Sequence, residues 1–397
     1  MEDIKYDYIM VRFGELSTKG KNKKDFIRQL GNNIKNALQE FKTLTYQIKM
    51  DHIYIHLGEE NAEFIIERLK DVSGIHSFSL VYKCSVEIEK IKQVALALLL
   101  KKNKNTFKIK AKRANKLYPI ISDDINRMVA GYILHNSNYK VDVHNPDILV
   151  SITIREDACY IFTDAILGAG GYPLGVGKKA LMMISGGIDS PVASYLMMKR
   201  GVSLEMVHFA APPYTNAAVI DKITDICREL NRYQAKIKIH IVPFTKLQEE
   251  IYRHADESYA ITIMRRMMYR ISEQLAKKYN CLAIANGESI GQVASQTLAS
   301  MNTINEVTSF PIIRPIAIFD KLDIIEIAKK IKTYDISIRP FEDCCTIFDP
   351  KNPKTAPQLK DVEMFESKFD YESLVKTCVD ETETIVVTAE KENKNYL

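Results

Sequence analysis

Residues 185–190, SGGIDS, have the composition of an anion-binding turn but include an acidic residue. Two adjacent glycines let the backbone turn sharply and come close to a ligand. The free N–H groups at the start of a following helix favour an anion there. A Walker-type loop would place a lysine at the phosphates, whereas Asp189 suits a Mg²⁺ ion shared with phosphate oxygens. The loop therefore predicts a site for a Mg-nucleotide whose pyrophosphate is held as a unit.

The neighbours of this loop support the same interpretation. An apolar strand is predicted over residues 180–184 and a helix over residues 190–200. Ser190 suits the N-cap of that helix, and Pro191 suits its first position, where a missing N–H costs nothing. The alternative is that the six residues only form a turn between strand and helix. The complete loop in this setting favours the nucleotide site.

The rest of this half of the chain alternates short apolar strands with helices. Strands are predicted at 202–209, 236–244, 281–285 and 311–317, with helices at 217–232, 261–279 and 289–300. This order is typical of an α/β fold with a doubly wound parallel sheet that is covered on both faces. Such sheets bind ligands at the carboxyl ends of their strands. The predicted domain spans residues 178–397.

Two smaller α/β modules are predicted before it. Residues 6–83 follow the order strand, helix, two strands, helix, strand, which is the ferredoxin-like pattern. A second α/β unit follows up to about residue 165, and the glycine-dense stretch GAGGYPLGVGKK resembles a linker. We place the boundaries at 1–76, 77–167 and 168–177, the last being the linker.

The positive charge of the chain is concentrated in these modules. Residues 1–180 carry 28 Lys and Arg against 21 Asp and Glu, while the whole chain has a net charge of +5. The run at 101–116 has eight basic residues and no acid, and 17–29 has five against one. A single run is usually a solvated surface, but two runs in one half favour nucleic acid as a partner.

The spacing of the cysteines and the length of the apolar runs indicate the cellular setting. The seven cysteines show no CxxC pair, which favours a reducing cytoplasm over a disulfide scaffold or zinc ribbon. The apolar run VALALLL is too short to cross a bilayer, and the acidic start does not resemble a secretory signal. We expect a cytoplasmic protein with no membrane partner.

Through its SGGIDS loop, the sequence resembles the PP-loop ATP pyrophosphatases, whose loop has the form SGGxDS. The stretches FKIKAKRANK, VDVHNPDILVSI and GAGGYPLGVG before the loop are similar to a THUMP RNA-binding domain. Those after it, HFAAPPYT, IMRRMMYRI, ANGESIGQVASQT and RPFEDCCTIF, continue the match. Together they identify the chain as a member of the tRNA 4-thiouridine synthetase family, from about residue 6 to residue 360.

The resemblance implies an enzyme that uses ATP and Mg²⁺ to adenylate O4 of a tRNA uridine, at position eight. Persulfide sulfur then replaces the oxygen to give 4-thiouridine. The family is also implicated in sulfur transfer for the thiazole of thiamine. Its partners would be tRNA, a cysteine desulfurase as persulfide donor and a thiamine sulfur-carrier protein. We also expect a homodimer.

The resemblance also carries a set of ATP-binding residues onto this chain. They are Met183, Ile184, Ser185, Gly186, Gly187, Asp189, Ser190, His208, Phe209, Arg265, Gly287 and Gln296, with Asp189 contacting the metal through Mg-ATP. Simpler roles exist for several: His208 and Phe209 could be core, Arg265 part of a basic helix face, and Gly287 a turn residue. Their positions after successive strands favour the ligand site.

Two further sets of residues are predicted. The tRNA-binding residues are Lys19, Lys21, Lys23, Lys24, Lys108, Lys110, Lys112, Arg113 and Lys116.

Cys344 and Cys345 are the candidates for handling sulfur, because in the family the cysteine matching Cys344 works with a rhodanese cysteine. We expect no rhodanese domain here, since only some forty residues follow the last motif.

Two rival functions stay open at this point. One is a PP-loop ligase that adenylates a small molecule, which would not need two basic N-terminal modules. The other is an RNA-binding protein with a decayed nucleotide site, against which the intact SGGIDS loop argues.

Overall fold

The computed structural model describes residues 6–14, 22–216, 218–340 and 352–389. The chain forms two compact units, residues 1–173 and 174–397. The division lies within the stretch 168–177 that the sequence predicts as a linker.

The first unit is built on a nine-stranded sheet. Its strands are β1 (Tyr8–Phe13), β2 (Thr45–Ile48), β3 (His52–His56), β4 (Ile75–Cys84), β5 (Thr106–Arg113), β6 (Lys140–Val141), β7 (Ile148–Ile154), β8 (Cys159–Phe162) and β9 (Ile166–Leu167). They lie in the order β2-β3-β1-β4-β8-β7-β5-β6, and β9 pairs with β4. The β5 strand runs parallel to β6 and β7, while β4 is antiparallel to both β1 and β8.

In the described part of the first unit, four helices cover this sheet in two pairs. They are α1 (Lys23–Ala37), α2 (Ala62–Lys70), α3 (Ile88–Leu100) and α4 (Ser122–His135). In α1 the buried residues Ile27, Leu30 and Ile34 recur every three or four positions, so they form one stripe that packs on the sheet. The side chain of Asn61 caps α2 by accepting from the N–H of Glu63 at 2.8 Å.

The long strand β4 belongs to both N-terminal modules. Its partner on one side is β1, through Ile9 and Leu80, and on the other side is β8, through Cys84 and Cys159. The predicted boundary between residues 76 and 77 therefore falls inside a strand. The two modules share one continuous sheet, although each keeps its own hydrophobic core.

The second unit contains a six-stranded sheet. Its strands are β10 (Lys179–Met183), β11 (Ser203–Ala210), β12 (Lys236–Pro243), β13 (Ile284–Ala285), β14 (Ile312–Ile313) and β15 (Glu383–Thr388). The order is β14-β13-β10-β11-β12-β15, and all neighbours are parallel except β15, which pairs antiparallel with β12. The doubly wound parallel sheet is thus confirmed, with an antiparallel edge strand that the sequence pattern did not indicate.

Nine helices of the second unit lie in the described residues. They are α5 (Asp189–Lys199), α6 (Ala218–Leu230), α7 (Thr245–His254), α8 (Glu257–Lys278), α9 (Leu298–Asn305), α10 (Lys321–Lys330), α11 (Tyr334–Ser337), α12 (Leu359–Glu366) and α13 (Tyr371–Asp380). One face of the sheet packs on α7, α8, α12 and α13, and the other on α5, α6 and α10. Both faces of the sheet are covered, and β11 is accordingly buried at every position after Ser203.

The helix predicted over residues 289–300 is wrong in extent. The chain instead forms a short 3-10 turn at Ala294–Gln296, after which Thr297 caps α9 by accepting from the N–H of Ser300 at 3.1 Å. Within the described parts of the chain, no helix is both long and apolar enough to cross a membrane.

Candidate active site

The SGGIDS loop connects the end of β10 to the start of α5. Its first and last residues, Ser185 and Ser190, are hydrogen-bonded to each other. The helix begins at Asp189, with Ile188 in the N-cap position and no side-chain cap. Ser190 is therefore not the cap that the sequence predicted. Its hydroxyl accepts from the N–H of Ser185 at 3.0 Å and lies 3.2 Å from the Ser185 hydroxyl. Ser190 thus holds the two ends of the loop together.

Two glycines in this region have close neighbours at the position of a Cβ, and at Gly287 these neighbours are backbone atoms. A Cβ at Gly186 would lie 3.1 Å from Cδ of Lys222, whose side chain passes beneath the loop. A Cβ at Gly287 would lie 2.7 Å from the backbone nitrogen of Ser190. Because real Cβ contacts are not this short with backbone, Gly287 lets the loop after β13 pack directly on the first turn of α5.

We expect Gly287→Ala to weaken ATP binding by about tenfold, equivalent to about 1.4 kcal/mol, because the new methyl displaces the start of α5. Isothermal titration with ATP is the measurement. Gly131→Ala is the matched control: Gly131 lies inside α4 with nothing near its Cβ position. That variant should keep wild-type ATP affinity. Equal ATP affinity in Gly287→Ala and wild type would show that the close packing is not needed.

Asp189 is held by two side chains from distant parts of the chain. Lys321 Nζ lies 2.6 Å from its Oδ1, and Gln292 Nε2 donates to its Oδ2 at 3.0 Å. Lys321 is the first residue of α10, and Gln292 lies in the loop before the 3-10 turn. Sequence reasoning did not single out either residue: Lys321 lies outside the quoted motifs, and Gln292 lies within ANGESIGQVASQT without being assigned a role. The Lys321–Asp189 ion pair places the lysine ammonium directly beside the predicted phosphate position.

The neighbouring strand contributes an aromatic and a heteroaromatic ring. His208 and Phe209 lie at the carboxyl end of β11, next to the end of β10. The His208 side chain is buried, with Nδ1 3.2 Å from the carbonyl oxygen of Ile184. The Phe209 ring meets Phe244 edge to face, with centroids 5.3 Å apart. These rings form an apolar wall suited to a nucleobase.

Arg265 and Arg266 on α8 have different roles, although they are adjacent. Arg266 is 1% exposed, and its Nε and Nη2 lie 2.8 and 3.2 Å from the two carboxylate oxygens of Glu366. It also donates to the carbonyl oxygen of Thr303 at 2.6 Å. Arg265 lines the cavity and contacts Glu288 at 3.4 Å. The two arginines therefore do not form a simple basic helix face, because Arg266 is part of a buried ion pair and Arg265 lines the cavity.

One cavity brings most of the predicted ATP residues together. It is lined by Met183, Ile184, Ser185, Asp189, Ser190, His208, Phe209, Arg265, Met268, Asn286, Gly287, Glu288 and Gln296. Gly186 and Gly187 lie in the adjoining loop but are not part of the lining. Met268, Asn286 and Glu288 are additional wall residues that the sequence did not indicate. The cavity lies at the carboxyl ends of β10, β11 and β13, as a doubly wound sheet requires.

The donor set of this cavity fits a magnesium ion that arrives with a nucleotide. Among the described residues there is no cluster of three or more His, Cys, Asp or Glu that could hold a metal by itself. Mg²⁺ in nucleotide sites is usually held by one or two carboxylates together with phosphate oxygens. Asp189 is the carboxylate available for that mode, and its side chain is 23% exposed.

The five described cysteines are buried and reduced. Burial raises the pKa of Cys281 to about 11 and that of Cys378 to about 12. Thiols with such pKa values are not thiolates at neutral pH, so they are poor sulfur nucleophiles. Cys344 and Cys345 lie outside the described residues, so their predicted role stays a prediction.

Three of the four predicted RNA-binding residues of β5, namely Lys108, Lys110 and Lys112, lie on one face of this strand. Phe107 and Ile109 point into the hydrophobic core, and the intervening Lys108, Lys110 and Lys112 point away from it. Lys110 and Lys112 are exposed, as are Lys24 and Lys116, while Lys23, Lys108 and Arg113 are half-buried. Lys108 Nζ donates to the carbonyl oxygen of Val143 at 2.8 Å, and Arg113 Nη1 to that of Tyr118 at 2.9 Å. Lys19 and Lys21 lie outside the described residues.

Reversing the charge of Lys108, Lys110 and Lys112 to glutamate should weaken tRNA binding and flatten its dependence on salt. Each phosphate contact that is lost lowers the slope of log K against log salt by about 0.7 to 0.9. Filter binding between low and moderate salt measures that slope. Charge reversal at Lys35 and Lys42, elsewhere in the same unit, is the control. An unchanged slope in the triple variant would show that this face is ordinary solvated surface and does not contact tRNA phosphates.

The fold and the cavity define a class of protein. A PP-loop domain with a nucleotide-type cavity follows a THUMP-type sheet that presents a row of lysines. Family models match the chain in the same order: a ThiI ferredoxin-like domain at residues 8–79, a THUMP domain at 86–164, and "Thiamine biosynthesis protein (ThiI)" at 175–371.

Comparison with whole proteins gives the same family. A curated relative from Bacillus licheniformis, named "Probable tRNA sulfurtransferase", is 50% identical over 392 residues, which is 98% of each chain. A solved structure described as a 4-thiouridine synthetase–RNA complex with bound ATP is 37% identical, with a TM-score of 0.89, and the match covers 96% of this chain and 100% of that one. PH1313 from Pyrococcus horikoshii, 22% identical with a TM-score of 0.61 over 82% of this chain and 99% of its own, shows the same fold.

The chain belongs to the ThiI family. The family and the enzyme class predicted from the sequence, a THUMP-containing PP-loop enzyme of the tRNA sulfurtransferase class, are thereby confirmed.

Proposed function

We propose that this protein uses ATP to convert the uridine at position eight of tRNA into 4-thiouridine. The observation that carries the proposal is the cavity lined by Asp189, the first turn of α5 and Arg265, with Lys321 paired to Asp189. This arrangement suits a nucleotide whose α-phosphate is attacked, because both cations and the helix N–H groups face the phosphate chain. The lysine face of β5 supports an RNA substrate rather than a small molecule.

In the first step, O4 of the uridine attacks the α-phosphorus of ATP, and pyrophosphate leaves. The base becomes an O4-adenylated uridine, in which AMP is a good leaving group. His208 and Phe209 would form the wall against the adenine. The loop N–H groups, Lys321 and Arg265 would stabilise the negative charge that develops on the phosphates. Gly287 would allow the close approach of the two loops around that charge.

Asp189 would hold Mg²⁺ against the phosphate oxygens. When it is bound, the ion supplies Lewis-acid polarisation of the phosphates. In the structure Asp189 contacts Lys321 and Gln292, so the three side chains would share the pyrophosphate and its cation. Lys321 would then stabilise the pyrophosphate as it leaves.

In the second step, the terminal sulfur of a persulfide attacks C4 and displaces AMP. This gives a disulfide between C4 sulfur and the carrier sulfur. A thiolate then attacks the carrier sulfur, which releases 4-thiouridine and leaves a disulfide to be reduced by an external thiol. We propose Cys344 for the persulfide or the resolving thiolate, with Cys345 as the alternative.

The residues that flank the cysteine segment support this assignment. Before it, Ser337 donates to the carbonyl oxygen of Gly187 at 3.3 Å, and Lys222 donates to that of Arg339 at 3.0 Å. After it, the carbonyl oxygen of Thr355 accepts from Thr297, next to the cavity residue Gln296, at 2.5 Å. The described residues on both sides of segment 341–351 therefore contact the SGGIDS loop and the residue next to Gln296.

The remaining expectations belong to the same proposal. The persulfide would come from a cysteine desulfurase, and the protein would act as a homodimer in the cytoplasm. A second use of the activated sulfur, for thiamine thiazole through a sulfur-carrier protein, is also proposed. The match to a model described as a thiamine biosynthesis protein motivates that second role.

The test incubates the protein with unmodified tRNA, ATP, Mg²⁺, cysteine and a desulfurase. We expect pyrophosphate release that depends on tRNA and a new near-ultraviolet absorbance from 4-thiouridine. A small-molecule ligase would release pyrophosphate without any response to tRNA. An RNA-binding protein with an inactive nucleotide site would bind tRNA and release none.

A further inference from the structure

A buried carboxylate lies at the wall of the ATP cavity. Glu288 follows β13, and it is 2% exposed. Its Oε2 accepts from Arg314 Nε at 2.7 Å and from Asn286 Nδ2 at 3.0 Å, and lies 3.2 Å from the hydroxyl of Tyr269. The other oxygen, Oε1, lies 3.4 Å from Arg265 Nη1. One edge of the carboxylate is therefore fixed by three groups, and the other edge is directed at Arg265.

The groups that fix the carboxylate are themselves held by further contacts. Asn286 donates to the Tyr269 hydroxyl at 2.6 Å, and its Oδ1 accepts from the N–H of Glu288 at 3.1 Å. Arg314 Nη2 donates to Asn305 at 2.7 Å. Burial raises the pKa of Tyr269, so this phenol keeps its proton and its ability to donate. The position of Glu288 is thus determined by α8, α9 and the segments that follow β13 and β14.

The contact between Arg265 and Glu288 differs from the neighbouring ion pair. At 3.4 Å it is longer than a strong charge-assisted hydrogen bond. Arg266, one residue on, is bound by Glu366 at 2.8 Å and is buried. The ionic contact orients the guanidinium of Arg265 without forming a bidentate pair. The Arg265 side chain therefore remains part of the cavity wall.

We propose that Glu288 is a positioning residue, which orients Arg265 toward the phosphates of ATP. The inference rests on the proposed function, because Arg265 acts there on the charge that develops during adenylation. Arginine side chains have many rotamers, and a fixed carboxylate at one side restricts them before the nucleotide binds. Glu288 acts through Arg265 and does not touch the reacting atoms.

The experiment measures tRNA-dependent pyrophosphate release for Glu288→Gln, Arg265→Ala and the double variant. For Glu288→Gln we expect kcat to fall between about tenfold and a hundredfold, the range for losing a charged hydrogen bond, with a smaller rise in KM for ATP. In the Arg265→Ala background, adding Glu288→Gln should change kcat by less than about twofold. Glu306→Gln is the matched control, since it removes a partly exposed partner of Arg266 and should keep wild-type kcat.

Multiplicative losses in the double variant would overturn the inference, because Glu288 would then act independently of Arg265. If Glu288→Gln does not fold, Glu288→Asp is measured in the same cycle, since it keeps the charge opposite Arg314 while drawing back from Arg265. Wild-type protein that releases no pyrophosphate with tRNA would instead contradict the proposed function. The two failures are therefore distinguishable.

Discussion

Asp189→Ala should lower tRNA-dependent pyrophosphate release by at least about a hundredfold, the usual effect of removing one electrostatic contact to a developing charge. Affinity for tRNA should change by less than about twofold, because the lysine face that would bind RNA belongs to the first unit. Without the carboxylate, the Mg²⁺ of the proposed mechanism would lose its protein contact, and Lys321 loses its ion-pair partner. Single-turnover pyrophosphate release and tRNA filter binding are the paired measurements.

Asp323→Asn provides the matched control for this variant. Asp323 is an exposed carboxylate in the first turn of α10, the helix that begins with Lys321. Its replacement changes the local charge near the cavity and should leave both properties at wild-type values. If Asp189→Ala lost tRNA affinity to the same extent as pyrophosphate release, the loop would have a structural role instead of a catalytic one.

Cys344→Ser should abolish thiolation from cysteine and desulfurase while leaving pyrophosphate release from ATP and tRNA intact. In the proposed mechanism, adenylation needs only the cavity residues, whereas sulfur transfer needs a thiolate. The described cysteines are buried, and burial raises the pKa of Cys227, Cys281 and Cys378, so these three thiols are poor substitutes. The measurement is 4-thiouridine by near-ultraviolet absorbance, alongside pyrophosphate from the same reaction.

Cys345→Ser and Cys227→Ser are the controls for the sulfur step. Cys227→Ser should thiolate tRNA at the wild-type rate, since its thiol is buried in α6. Loss of thiolation in Cys345→Ser alone would transfer the role to the second cysteine. Wild-type thiolation in Cys344→Ser would mean that sulfur passes directly from the donor to the tRNA.

Much of the cavity could be predicted from the sequence, because local patterns determine it. The apolar strand, the glycine pair and the acidic residue of the SGGIDS loop lie within eleven consecutive residues. Alternating strands and helices then indicate where the next strands end, and His208, Arg265 and Gln296 follow from the resemblance. The structure brings these residues to one cavity at the carboxyl edge of the sheet.

What could not be predicted depends on contacts between distant segments. Lys321 lies 132 residues after Asp189 and Gln292 lies 103 residues after it, and nothing in the local sequence connects them. Arg265 and Arg266 look equivalent in sequence, and only the position of Glu366 separates their roles. Likewise, β15 joins the sheet by antiparallel pairing with β12, a long-range contact without a local signal. The role of Ser190 is a local exception, since its hydroxyl accepts from the N–H of Ser185 in the same loop and depends on how that loop closes.

In the proposed chemistry, the cavity activates O4 of a tRNA uridine by adenylation. The most direct measurement uses tRNA whose target uridine carries oxygen-18 at O4, with ATP, Mg²⁺ and a persulfide donor. Mass spectrometry of the nucleotide products then locates the label. The proposed chemistry predicts one oxygen-18 atom in AMP for each 4-thiouridine formed. Unlabelled AMP accompanied by 4-thiouridine would contradict it, since the uridine oxygen would then have left without ever being bonded to the α-phosphorus.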